Sequence, residues 1–539
     1  MAVLQSQIST NSESFKTNRA DMLGMIAAVR ALEQKVRDTS NAKADVFRSR
    51  GQLPPRARID QLLDKGSPFL ELSTLAGLGM HDDDGSKSVM GGGAIAGIGY
   101  VQGIRCMISA SDSGIKGGTI APMGLKKNLR VQEICHENKL PKINLIESGG
   151  ANLKYQSDIF VEGGRGFYNQ ARMSAMGIPQ IAVVHGSSTA GGAYVPGMSD
   201  YTIMVKGRSR VFLAGPPLLY AATGEVATDE DLGGAEMHSL VSGVSEFMAE
   251  DDADGIRMAR DVMGKLRWND RLPPEPARTW REPLYDPDEI CGLVPADYRR
   301  PYDARELIAR LVDGSDFVDF KSNYGPATVC GFAEVMGKAV GIVGNNGPID
   351  NAGATKAAQF MQLCDQADTP IVFLHDTTGF IVGTESERDG MVKHGSKMIQ
   401  AVSNVRVPKI TLMVGASFGA GNYAMCGRAY SPRFIFGWPN YRMSVMGGEQ
   451  AATVLKIVAE QGAKRKGVEP DHAVIQKMYD GIVSQFDKES QALYNTARLF
   501  DDGLIDPRDS RRLLGMCLDI CREGDRRPLQ PNSFGVGRM

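Results

Sequence analysis

Apolar residues along this chain come in two rhythms, and the order of the rhythms repeats. Near the N-terminus Met22, Ile26, Val29 and Leu32 recur at helical spacing, which predicts a helix within residues 1–50, a stretch that turns Lys/Arg-rich toward Arg48 and Arg50. From 69 to 110 the pattern shortens to strands punctuated by glycine, including Gly91-Gly92-Gly93 and the alternating run 94–101. A helix-like stretch at 125–138, an apolar strand at 142–146 and a Glu147-Ser148-Gly149-Gly150 turn follow. Helix-like sequence at 167–176 then leads to the strand 180–184, which runs into Gly186-Ser187-Ser188-Thr189-Ala190-Gly191-Gly192-Ala193-Tyr194.

After a proline-rich stretch at 272–290 the order returns. Strand 339–343, helix 359–367, strand 371–374, the turn at Thr378-Gly379, helix 397–405 and strand 409–414 end in Gly415-Ala416-Ser417-Phe418-Gly419-Ala420-Gly421-Asn422-Tyr423. Helix-like sequence closes the chain, including 511–521. The offset that carries Gly186 onto Gly415 holds without a gap between the two glycine turns, and the same offset pairs Lys127 with Lys356, Cys135 with Cys364, Pro141 with Pro370, Gly166 with Gly395 and Pro179 with Pro408. Strand alternating with helix predicts parallel sheet, and the offset predicts a duplicated α/β fold. The expected division is an N-terminal helical arm at 1–50, a first domain at 51–271, a linker at 272–290 and a second domain at 291–539.

Length agrees, since 539 residues exceed what one hydrophobic core usually organises. A net charge of -2 and a pI near 6.4 argue against a nucleic-acid partner. No window approaches the roughly 18 consecutive apolar residues of a membrane helix. The stretch from Met1 to Lys16 lacks the apolar core of a secretory signal, and eight cysteines are scattered without Cys-x-x-Cys, so a soluble cytoplasmic chain without a metal is expected. Cys517 and Cys521, four apart in helix-like sequence, read as buried thiols rather than zinc ligands.

Glycine is the informative excess, 62 residues, concentrated at strand ends. In each long glycine turn a strand ends and a helix opens, so main-chain N–H groups without helical partners face outward, and glycine lets a ligand oxygen approach them. That arrangement suits stabilisation of a developing anion at Gly191 and Gly192 and again at Gly421 and Asn422; close helix–sheet packing alone would also select glycine. The second turn spells Gly415-x-Ser417-x-Gly419, the nucleophile elbow of serine hydrolases, with Asp471-His472 downstream as possible partners. Against that reading, the first copy has Ala190 in the last glycine position. Lys116, Lys126, Lys127 and Arg130 form a basic cluster that can clamp phosphates or merely solvate a helix face. His185 ends the strand that delivers the first turn. No nucleotide fingerprint occurs.

These residues resemble the carboxyltransferase (β) subunits of biotin-dependent acyl-CoA carboxylases. The resemblance covers nearly the whole chain and includes Lys116-Gly117-Gly118-Thr119, Glu147-Ser148-Gly149-Gly150-Ala151, Phe167-Tyr168-Asn169-Gln170, Thr378-Gly379-Phe380 and Ser444-Val445-Met446-Gly447-Gly448-Glu449-Gln450. Through Gly421-Asn422-Tyr423-Ala424-Met425-Cys426-Gly427-Arg428 it is closest to the branch acting on 3-methyl-enoyl-CoA thioesters, the methylcrotonyl-CoA and geranyl-CoA carboxylases.

The resemblance implies two crotonase-like ββα superhelix domains and transfer of CO2 from carboxybiotin to the γ-carbon methyl of a 3-methyl-enoyl-CoA. It implies two oxyanion holes: Gly191 and Gly192 for the thioester enolate, and Gly421 and Asn422, with Ala420 close by, for the biotin ureido oxygen. By position it assigns Gly163, Gly164, Gly166, His185 and Ala424 to an acyl pocket, Lys116, Lys126, Lys127 and Arg130 to coenzyme A, and Thr378, Gly379, Phe380 and Phe418 to biotin. A separate α subunit would supply the biotin carboxylase and the biotin carrier, and β subunits would form a homo-oligomer, a hexamer in this family. Where methylcrotonyl enzymes read Phe-Gly-Arg-Ile-Phe-Tyr-Asn, this chain reads Gly163-Gly164-Arg165-Gly166-Phe167-Tyr168-Asn169, which favours geranyl-CoA over methylcrotonyl-CoA. Crotonase-type hydration or isomerisation, with Glu147 as the acid or base, and a non-catalytic acyl-CoA scaffold remain as alternatives.

Overall fold

The continuous apolar runs form parallel strands covered on both faces, the environment that favours unbroken Val, Ile and Leu. A computed structural model of the chain describes residues 3–84 and 89–538. They fall into two compact units: one comprises the described residues of 31–275 with 497–499 and 522–538, the other 276–496 with 3–30 and 500–521.

In the first unit the described strands are β1 (Leu70–Glu71), β2 (Ala94–Val101), β3 (Ile104–Ser111), β4 (Lys142–Ser148), β5 (Gln180–Thr189), β6 (Tyr201–Val205), β7 (Arg210–Phe212) and β8 (Phe247–Ala249). They are ordered β1-β2-β3-β4-β5-β6-β8, with β7 on the far end of β5. The antiparallel hairpin β2–β3 opens the sheet, and β3 through β8 run parallel. Ile108, Ile143, Leu145, Ile181, Val183 and Ile203 form its core against Ile256 and Met263 of the helix Asp252–Lys265.

The second unit repeats the plan with β9 (Val318–Asp319), β10 (Thr328–Val335), β11 (Lys338–Asn345), β12 (Ile371–Thr377), β13 (Lys409–Phe418), β14 (Phe434–Gly437) and β15 (Arg442–Ser444). Again an antiparallel hairpin, β10–β11, precedes parallel strands, and β15 extends the end of β13 as β7 extends β5. Val343, Ile371 and Phe373 pack on Phe360, Met361 and Met398. Met22 and Ile26 of the arm's stripe are buried within this unit, where they meet Cys291.

Helices exceed their sequence signals at the N-terminal end: Pro122–Asn138, Asn351–Gln366 and Met391–Asn404 each start earlier than the periodicity predicts. The largest difference is Gln156–Ala175, a helix through Gly163, Gly164 and Gly166. Three interior glycines weaken a helix by about 0.5–1 kcal/mol each, so packing and not propensity sets this one. All eight cysteines are buried thiols. Among the described residues no helix is long and apolar enough to cross a membrane, and no group of three or more His, Cys, Asp and Glu is placed to hold a metal.

Candidate functional site: two glycine turns

The duplication extends to individual hydrogen bonds. β4 and β5 pair in register to Ile146, slip by a bulge, and resume at Ser148 opposite Ser188; β12 and β13 slip at the same place and resume at Thr377 opposite Ser417. The residue inside each bulge is a carboxylate, Glu147 or Asp376. Just beyond, Gly150 and Gly379 take positive φ, 88° and 113°, and their N–H groups donate to Ser148 Oγ and Thr377 Oγ1, both at 3.2 Å. Their carbonyls accept from the N–H of Ile120 and Ile349, each at 2.9 Å. A Cβ on either glycine would press on the Thr189 or Phe418 carbonyl at 3.4 or 3.3 Å, so glycine brings that loop against the end of the central strand.

Each central strand then hands over to a short helical segment through one left-handed residue, Ala190 at φ 53° and Gly419 at φ 55°. The segments are a 3-10 turn Ala190–Ala193 continuing into Tyr194–Gly197, and an α-helix Gly419–Ala424. Neither is long enough for a substantial macrodipole, so individual first-turn N–H groups, which lack acceptors within their own helix, are the available donors. The offset aligns Gly191 with Ala420 and Gly192 with Gly421, one position earlier than Gly421 and Asn422. Exposure differs too: Gly191 and Ala420 are open, while Gly421 and Asn422 are buried.

Beside the first turn lies the Gln156–Ala175 helix. The Phe167 ring packs against Tyr194, edge to face at 5.8 Å between centroids, and its tip would be 3.9 Å from a Cβ on Gly191. Gly163 is one helical turn back from Phe167, and a Cβ on Gly163 or Gly164 meets nothing within 4 Å. Gly166 differs from its two neighbours: it is buried, its carbonyl accepts from Gln132 Nε2 at 2.8 Å, and Asn128 lies beside it. It is a helix-packing position, as is its counterpart Gly395 under the Phe380 ring.

His185 lies on β5. Its ring is fully buried in a network that sequence spacing did not show. Nδ1 donates to Asp252 at 3.0 Å, Arg58 bridges Asp252 (3.3 Å) and Glu147 (2.7 Å), and Ser113 donates to Glu147 at 2.8 Å. Burial, reinforced by Arg58, pushes the His185 pKa down and keeps the imidazole neutral; burial raises and His185 and Arg58 lower that of Asp252, with a net fall. Glu147, the candidate acid or base, lies against Gly186; Arg58 and Ser113 share its Oε2, and Gln52 Nε2 is 3.4 Å from its Oε1.

At the second turn Ser417 is fully buried, 2.9 Å from His375 Nδ1, while His375 Nε2 meets the Met425 carbonyl. Asn422 Nδ2 donates to Ser417 Oγ at 2.8 Å. The serine's histidine thus comes from the neighbouring strand β12 and is not His472: Asp471 caps the helix His472–Glu489 through the N–H groups of Ala473 and Val474, both at 3.1 Å. A buried serine whose histidine faces a carbonyl instead of a carboxylate lacks the makings of a hydrolytic triad. Ala424 is buried in the core of the second unit. Thr378 is exposed and Gly379 buried, and Phe418 is buried under Tyr298 at 5.2 Å between centroids.

The basic cluster divides. Lys127 is buried and donates to the carbonyls of Gly91 (3.1 Å) and Ala94 (2.7 Å), and burial lowers its pKa to about 8. Its repeat partner Lys356 does the same toward Tyr324 at 3.1 Å. Arg130 is buried with Glu133 at 2.9 Å. Lys126 is exposed and donates to the Arg498 carbonyl at 2.8 Å; Lys116 is half-exposed and meets Asp82 at 2.7 Å, a carboxylate shared with Lys154 at 2.9 Å.

Residues 47–533 match the family described as Carboxyl transferase domain. The chain is 48% identical, over 100% of both sequences, to a probable biotin-dependent acyl-coenzyme A carboxylase beta2 subunit of Mycobacterium tuberculosis. It is 47% identical, over 100% of this chain and 95% of the relative, to a probable mitochondrial methylcrotonoyl-CoA carboxylase beta chain of Drosophila melanogaster. Among solved structures it matches the beta subunit of geranyl-CoA carboxylase from P. aeruginosa at 58% identity and a TM-score of 0.94, covering 100% of both chains.

Proposed function

Because this chain belongs to the carboxyl transferase family, as a carboxyltransferase (β) subunit of the biotin-dependent acyl-CoA carboxylases, we propose that its two glycine turns serve two different oxyanions and that its preferred acceptor is geranyl-CoA. Biotin, carried by a separate α subunit, supplies the activated carboxyl group. The chain's own contribution is positional and electrostatic. N–H groups of Gly191 and Gly192 stabilise the thioester oxygen as the acyl group becomes an enolate, and those of Ala420, Gly421 and Asn422 face the ureido oxygen. Main-chain donors fixed in advance suit oxygens whose negative charge grows only during reaction.

The observation that carries the acyl preference is the open helix face at Gly163 and Gly164, one turn from the Phe167 ring that abuts Gly191. An acyl chain bound at the first turn and running past Gly163 meets no side chain there, and each buried methylene adds about 0.8 kcal/mol. Engagement of Glu147 by Arg58 and Ser113 disfavours a hydratase or isomerase. Lys116 and Lys126, the members of the basic cluster with solvent access, are the candidates for the phosphates of coenzyme A. Homo-oligomerisation, as a hexamer, completes the proposal; exposed Phe160 (79%) and Val161 (75%) on the Gln156–Ala175 helix are apolar surface of the kind assembly covers.

The test is co-purification with a biotinylated partner, followed by carboxylation assays on geranyl-CoA and methylcrotonyl-CoA. ATP- and biotin-dependent carboxylation with the higher kcat/KM for geranyl-CoA is expected. A methylcrotonyl-CoA preference overturns the acyl assignment, and turnover of the thioester without biotin overturns the reaction.

A further inference from the structure

The two turns differ in one buried feature. At the first, Ser188 Oγ donates directly to the Gly192 carbonyl at 3.0 Å, and the position on the neighbouring strand that corresponds to His375 is Ile146. At the second, the equivalent serine turns away from the helix backbone and toward His375. A carbonyl only accepts, so His375 Nε2 carries the proton that Met425 O receives, and Nδ1 accepts from the Ser417 hydroxyl. Ser417 Oγ in turn accepts from Asn422 Nδ2 at 2.8 Å. Full burial pushes the His375 pKa down to about 4, so these roles hold at neutral pH.

The chain of bonds has a definite shape. Met425 is the C-cap of the Gly419–Ala424 helix, Asn422 lies within it, and Ser417 is the penultimate residue of the strand just before it. One imidazole on β12 therefore grips both ends of this short helical segment. Gly427 closes on the same point: its N–H donates to the Asn422 carbonyl at 2.8 Å, and a Cβ there would collide with the Asn422 amide.

We propose that His375 is a positioning residue for the second turn, fixing the Ala420–Asn422 N–H donors through Ser417 and Met425 so that they are pre-aimed at the biotin ureido oxygen. The inference rests on the assignment of the second turn to biotin.

The test measures carboxyl transfer between acyl-CoA and free biotin with the full chain, for His375→Leu, His375→Gln and Ser417→Ala. Misaiming donors by a fraction of an ångström to about 1 Å costs roughly 10- to 100-fold in kcat, so that loss is expected for His375→Leu, with the acyl-CoA KM within about twofold of wild type. His375→Gln, which keeps one donor and one acceptor, recovers part of the loss. Ser417→Ala breaks the middle link with the ring in place and lowers kcat in the same way, which preserves the test should His375→Leu fail to fold. Folded variants with unchanged kcat overturn the positioning role. A rise in acyl-CoA KM with biotin kinetics unchanged overturns instead the assignment of the second turn to biotin.

Discussion

Ala190 and Gly419, equivalent positions of the two repeats, hold the same left-handed backbone at φ 53° and 55°, and each is the point where a central strand becomes a donor-bearing helical turn. A left-handed L-residue costs roughly 1–2 kcal/mol, so one copy tolerates strain that the other avoids with glycine. Gly419→Ala introduces that strain together with a Cβ 3.1 Å from the Val445 carbonyl. It is expected to lower stability by about 1–2 kcal/mol or more, read as a lower thermal midpoint. Ala190→Gly relieves strain but adds about 0.4–1 kcal/mol of unfolded-state freedom, so its net effect stays within about 1 kcal/mol.

Glu147 and Asp376 occupy equivalent bulges in opposite electrostatic settings. Glu147 has Arg58; Asp376 accepts from the Ala416 N–H at 2.9 Å, and burial pushes its pKa up from 3.8 to about 7. The same carboxyl adds to burial in raising the pKa of the Tyr302 phenol. A folded pKa above the unfolded one means that Asp376 stabilises the fold fully below about pH 4 and loses that contribution as pH rises through about 7. Asp501, raised to about 6 by burial against the opposing hydrogen bonds of Tyr441 and Thr496, acts in the same direction. Asp376→Asn should flatten the fall in unfolding midpoint across this window; an unchanged slope contradicts the assignment.

Arg58 is 1% exposed and holds two carboxylates. Removing one partner of a buried ion pair typically costs about 3–5 kcal/mol, because the other charge is left without compensation. Arg58→Met is expected to destabilise by about 3 kcal/mol or more, and Arg58→Met with Glu147→Leu by less than the sum of the single changes. Thermal unfolding of the three variants checks this, and strict additivity would place Arg58 outside the Glu147 network.

The central strands of both sheets and both glycine turns were legible in the sequence because they rest on local signals, continuous apolar runs and glycines at one offset; short strands such as β6, β8 and β14 were not. The helix through Gly163–Gly166 was not, since glycine obscures helical periodicity and packing against Asn128 and Gln132 overrides it. Lys127 read as a surface cation because nothing in its neighbourhood reveals that two main-chain carbonyls await its ammonium. The His375–Ser417 and Arg58–Asp252 contacts join residues on separate elements, which periodicity does not connect. The one available signal was the offset itself, which aligns the carboxylates Glu147 and Asp376.

Gly163→Phe puts a ring where a long acyl chain is proposed to reach the first turn past an open helix face. No heavy atom lies within 4 Å of the added Cβ, so the variant should fold. The measurement is the ratio of kcat/KM for geranyl-CoA to that for methylcrotonyl-CoA. This ratio is expected to fall by roughly tenfold or more, with methylcrotonyl-CoA turnover largely retained; an unchanged ratio in the folded variant would overturn the acyl path past Gly163.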